Sequence, residues 1–136
     1  MEILRFNIGT RARWKAKSAS GHWCVGGLGQ DEYGNYGAMW ELVEGFGQSF
    51  ISIDPKTICM STGVKDSNGT PIFENDYVEI ILKGSGEIWD EAALIEYSRL
   101  GFVYTCKDEE QPLHHLEFQM KKELVEVYVV GNKWNK

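Results

Sequence analysis

The chain has three cysteines and no long apolar run, and each shortage removes a class of protein. Cys24, Cys59 and Cys106 are odd in number and widely spaced. They form no disulfide framework and no C-x-x-C pair. They read instead as free, partly buried thiols in a reducing compartment. No stretch approaches the roughly 20 apolar residues of a membrane-crossing helix. Residues 1–5 do not open a basic region followed by an apolar stretch and a small-residue cleavage site, which predicts a cytoplasmic protein. Catalytic signatures are also missing. There is no G-x-S-x-G, and Gly26-Gly27-Leu28-Gly29 fits neither the phosphate cradle nor the dinucleotide spacing.

What is present describes an ordinary globular chain. Its 136 residues predict a single domain over residues 1–136. A domain of this size buries roughly two-thirds of its unfolded surface, enough for a core without staples. The net charge of −6 disfavours general affinity for nucleic acid, which needs concentrated Lys and Arg. The charges are unevenly spread. Arg5, Arg11, Arg13, Lys15 and Lys17 are followed by no acid until Asp31, whereas Asp66 to Glu110 holds eleven acids against three bases. Solvation of exposed ends is the plain explanation.

Short runs with a period of two dominate the chain. Residues 2–8 alternate as a first strand, and residues 9–21 are basic, small and polar, hence a loop or arm. His22–Leu28 is a strand that Gly26-Gly27 interrupts as a bulge or close approach, and residues 31–35 form a turn. Residues 36–43 fit a strand or a helix, and the flanking glycines favour the strand. Short strands follow at 50–53 and 57–60. Asp66 can close a turn on its own backbone, Asn68-Gly69 tolerates positive φ at both hairpin positions, and Pro71 marks an edge or strand entry. Val78, Ile80 and Leu82 alternate within a strand over 75–82. A second strand over 87–98 follows Gly84-Ser85-Gly86, with a helical turn at 90–94 left open. Residues 101–106 are strand and 107–112 an acidic loop. Leu113, Leu116 and Met120 have helical spacing, and 124–130 is a strand ended by Gly131-Asn132. The prediction is a mainly β fold: a small barrel-like or folded antiparallel sheet of short strands, with at most one or two short helices.

Few constellations carry chemistry. Adjacent His114 and His115 point to opposite faces if they lie in a strand, and His22 with Cys24 lacks further ligands at metal spacing. No metal and no cofactor is therefore expected. Glu87, Asp90, Glu91 and Glu96 read as a solvated acidic face, so no catalytic residue is assigned. Five tryptophans remain. Trp14 is distinctive because it sits among Arg11, Arg13, Lys15 and Lys17 with few aliphatic neighbours. Such a cluster suits a base and phosphate, or a partner protein.

The stretch Thr62-Gly63-Val64-Lys65-Asp66, followed by Asn68-Gly69, Ile72-Phe73-Glu74, Asp76 and Val78, resembles the YopX family of phage and prophage proteins. That family's central signature runs T-G-L-K-D-K-N-G-K-x-I-Y/F-E-G-D-I-V. Upstream, Ile53-Asp54-Pro55-Lys56-Thr57 is similar to its V-D-P-x-T lead-in, and Arg13 with residues 21–28 to its opening R-x…G-x-W-V-Y-G-x-L. Downstream, Val129-Val130-Gly131-Asn132 is similar to its V-I-G-N. Two departures stand out: Asn75 replaces the usual Gly, and no Asn-Pro-Glu-Leu tail follows Trp134-Asn135. The resemblance implies a mostly β fold and no established reaction, cofactor or catalytic residue. Thr62, Gly63, Lys65, Asp66, Asn68, Gly69, Asp76, Gly131 and Asn132 are accordingly expected to serve folding. The function expected is a non-enzymatic interaction protein, a homo-oligomer or the partner of a host or phage protein. The alternative is a nucleic-acid binder working through residues 11–17.

Overall fold

Among the described residues strand predominates, beside one nine-residue α-helix, so the fold is mainly β. The computed structural model describes residues 14–30, 36–43, 47–98 and 101–135, and leaves undescribed the side chains of 29, 30, 36–43 and 47–50. The strand expected at 2–8 and the turn expected at 31–35 lie outside those residues. Contacts divide the chain into two compact units, Met1–Ser61 and Thr62–Lys136.

The first unit is an antiparallel sheet in the order β4-β3-β2-β1-β5. Its strands are β1 (Trp14–Lys17), β2 (Trp23–Gln30), β3 (Tyr36–Val43), β4 (Gly47–Ser52) and the start of β5 (Cys59–Lys65). Part of the expected basic loop over 9–21 is therefore a strand. Trp-Lys-Ala-Lys already alternates apolar and basic, a period-two pattern that the clustering of charge conceals. Ser18–His22 closes the β1–β2 hairpin, with Gly21 at φ 87°. The irregularity in β2 falls at Gly29/Gln30, not at Gly26-Gly27. Residues 55–57 form a 3-10 turn where a strand was expected to begin, because Asp54 Oδ1 accepts from the Lys56 amide at 3.0 Å and caps it. A small core of Ala16, Cys24 and Ile53 is flanked by Trp14, Leu28 and Ile58.

In the second unit β5 hairpins into β6 (Pro71–Phe73). The turn between them carries the family signature. Asp66 N donates to Thr70 O and Gly69 N to Asp66 O, with Gly69 at φ 84°. That is a type I turn with a glycine bulge, the three-residue hairpin form. Only Gly69 takes positive φ. Asn68 does not, so the tight two-residue turn is corrected to this longer one.

A five-stranded antiparallel sheet follows, in the order β10-β9-β8-β7-β11. It comprises β7 (Asp76–Leu82), β8 (Ile88–Ser98), β9 (Gly101–Cys106), β10 (Glu109–Pro112) and β11 (Val125–Asn132). Val78, Ile80, Ala93, Ile95, Val125 and Val127 line its core face, and helix α1 (Leu113–Lys121) covers them with Leu113 and Leu116. Met120 packs there too, as the helical spacing predicts. Residues 90–94 are strand, with no helical turn. The acidic loop is corrected as well. Lys107 and Asp108 make a two-residue turn at φ 52° and 65°, and residues 109–112 pair with β9. Gly131 and Asn132 are the last two residues of β11, which ends there as expected. Among the described residues neither sheet closes into a barrel, so the folded sheet is the form adopted.

Candidate functional site

The signature residues organise the backbone. Asp66 is buried, and its two carboxylate oxygens accept three amide hydrogens. Oδ1 takes those of Asn68 (2.9 Å) and Thr70 (2.8 Å), and Oδ2 takes that of Val129 (3.0 Å), 63 residues away. Ser67 adds to this, its amide donating to Val127 O and its hydroxyl accepting from Val127 N. The hairpin turn thus occupies the outer edge of β11. Thr62 Oγ1 donates to Ile72 O at 2.7 Å, and Gly63 beside it has φ 80°. Asp76 is fully buried. Its Oδ2 accepts from Phe73 N at 2.8 Å and its Oδ1 from Asn132 Nδ2 at 2.9 Å. Gly131 pairs with Tyr77 at the bulge of β11. Lys65 is exposed at the end of β5.

The expected basic and aromatic cluster is split. Arg11 and Arg13 lie outside the described residues. Trp14 and Ala16 face the small core, so Trp14 takes the face of β1 opposite to Lys15 and Lys17. Lys15 and Lys17 take the other face of β1, where their ammonium groups lie 4.8 Å and 5.5 Å from the centre of the Trp23 ring, within cation–π range. Trp23 is the member that sequence reasoning missed. Its signal is the hairpin register Lys17↔Trp23, which is invisible until β1 is read as a strand.

A second site has no sequence signature. The core face of the five-stranded sheet holds a cavity of about 420 Å³. Each strand contributes a wall residue: Gln111, Tyr104, Trp89, Ile80 and Val125. The helix supplies His115 and Gln119, one turn apart, and Leu116 between them. Trp89 is 45% exposed at the rim, and the Lys107 ammonium lies 4.1 Å over its ring. Burial pushes the Tyr104 phenol above its ordinary value, with Cys106 adding to the shift. Burial first, then the Asp90 carboxylate, raises the Cys106 thiol. A thiol held protonated is a poor nucleophile.

Of the acidic residues weighed from sequence, Asp90 is tied to backbone. Its Oδ1 accepts from Ala92 N at 2.9 Å and its Oδ2 from Lys107 N at 3.3 Å. Glu87 and Glu91 are exposed. His114 and His115 lie in helix α1, not in a strand, and only His115 reaches the cavity.

A family model described as YopX protein matches residues 16–135. The chain belongs to the YopX family. The match begins within β1, at Ala16, and takes in the closing β11 of this YopX protein and every signature contact described above. No curated protein and no solved structure matches the chain. Among the described residues no helix is long and apolar enough to cross a membrane.

Proposed function

We propose that this YopX protein is a non-enzymatic, cytoplasmic interaction protein of phage type, which associates with a second copy of itself or with a host or phage protein by strand addition at β8. One observation carries this reading. β8 has eleven residues, but its register with β9 runs only from Leu94 to Ser98, so residues 88–92 extend past the β9 ladder, with Ile88 and Asp90 in register with β7 and the Lys107 amide on the Asp90 carboxylate. Ile88 and Trp89 on this overhang are each nearly half exposed. An unpaired strand segment with apolar side chains is the surface that another strand can extend. The two outer strands of this sheet, β10 and β11, fit less well. The Asp66–Ser67 turn occupies β11, and β10 has four residues ending in Pro112. Sedimentation velocity over a concentration series tests the proposal. Ile88→Lys shifts the distribution to monomer if the overhang associates. A wild type that stays monomeric at all concentrations, and captures no protein from nuclease-treated bacterial lysate, overturns it.

A second reading rests on Lys15, Lys17 and Trp23. Two ammonium groups over one indole form a small basic and aromatic face of the kind that holds single-stranded nucleic acid. It predicts binding of a labelled single strand that weakens steeply with salt and is lost in a Lys15→Ala, Lys17→Ala double variant.

A further inference from the structure

We propose that the cavity beneath α1 binds a neutral, planar heteroaromatic small molecule of nucleobase or nucleoside size. Its volume of about 420 Å³ falls in the range of roughly 300–1,000 Å³ for small-molecule sites. Ile80, Leu116 and Val125 make its floor apolar, with no polar group to offer. Two aromatic walls add to it: Tyr104, from β9, and Trp89, at the rim. Stacking and edge contacts with rings are geometrically specific and exceed simple burial. The polar groups lie on the helix and on β10. Gln111 and Gln119 are half-buried primary amides, each offering a donor and an acceptor, and His115 adds a ring nitrogen. Such a set complements a heterocycle edge that carries donors and acceptors side by side. An aliphatic chain would leave those half-buried amides without partners, at a cost.

Charge narrows the class further. The cavity has one cation, Lys107, and one acid, Glu109. The Lys107 ammonium lies against the Trp89 ring, and with Glu109 in the same lining the formal charges of the cavity sum to zero. A neutral ligand suits this pairing, and an added phosphate gains little. The site shares Trp89 with the proposed association overhang, but Ile88, the residue on which that association is tested, does not line it.

Equilibrium titration of the full-length protein with adenosine, adenosine monophosphate and 1-octanol tests the proposal. Trp89 fluorescence is the readout, with Trp89→Phe identifying the signal. Protection of Cys106 from alkylation, in a Cys24→Ala, Cys59→Ala background, provides a second. The expected result is saturable adenosine binding, tighter than that of the monophosphate and of octanol. Gln119→Leu should weaken it about tenfold, the loss of one hydrogen bond, and His115→Ala, at an exposed position, should weaken it without affecting folding. Ile88→Lys should leave it unchanged, which separates this site from the association surface. Tighter binding of octanol or of the monophosphate overturns the proposal. So does the absence of saturable quenching by adenosine, or binding indifferent to both Gln119→Leu and His115→Ala.

Discussion

Asp66 holds three amides with two oxygens, and the cost of losing it follows from which amides are then left alone. Asn68 and Thr70 lie in an exposed turn, where water can replace the carboxylate. Val129 N lies on a strand edge closed by the turn itself. Asp66→Ala should therefore destabilise by about 2–3 kcal/mol, the range for hydrogen bonds to a charged group, and urea unfolding would measure it. Asp66→Asn, which keeps one acceptor, should lose less. Gly69→Val should cost roughly 1–2 kcal/mol because its φ of 84° is strained for a β-branched residue. An unchanged melting temperature would contradict the turn. The local half of this arrangement was legible: an Asp before Asn-Gly reads as a turn that closes on itself, and Asn75, standing where the family has Gly, does take φ 70°. The distant half was not. Nothing in the sequence joins Asp66 to Val129 or Asp76 to Asn132, because such bonds depend on strand register, which one chain's composition does not encode.

Among the elements, the connections depart furthest from sequence expectation. Lys107 and Asp108 both adopt the left-handed conformation between β9 and β10. A Lys-Asp pair lacks the Asn-Gly signature of such a turn, so residues 107–112 read as loop. Strand β1 was hidden in the same way, its alternation masked by four basic residues around one tryptophan. The helix, by contrast, was legible from Leu113, Leu116 and Met120. Its end carries an opportunity. Glu123 N donates to Met120 O and Leu124 N to Gln119 O, with Glu123 at φ 58°. This is a Schellman end, whose left-handed position favours glycine. Glu123→Gly relieves that strain but loosens the unfolded chain, so the gain is modest. A rise in stability of about 0.5–1 kcal/mol is expected, read as a higher melting temperature, and a fall would show that the Glu123 side chain contributes more than its backbone strain costs.

Across the whole molecule, charge and titration follow the division into units. Residues 1–61 hold six acids and six bases, whereas residues 62–136 hold fourteen acids and eight bases. The second unit thus carries the entire net charge of −6, which leaves Lys15 and Lys17 of the first as the surface least opposed to a phosphate. The cavity was illegible at every level of the sequence: its wall residues come from five strands and a helix, spread from Ile80 to Val125. Tyr104 and Cys106 line that cavity and belong to the same core, and burial raises both above their ordinary values. The sign of the consequence is fixed. Below about pH 8.5 both groups are protonated, folded or unfolded, and their contribution is fully present. Above it the unfolded chain releases the thiol proton and, near pH 10, the phenol proton, while the folded chain retains them. Stability therefore falls as pH rises through this window, since the folded state binds more protons. Melting temperatures from pH 7 to 11 should decline most steeply above pH 9. Tyr104→Phe should flatten the upper part of the decline and Cys106→Ala the lower part. A wild-type curve that both variants reproduce would place the alkaline loss on other groups, with the Tyr128 phenol, which donates to Glu126 and is also raised, the next to replace.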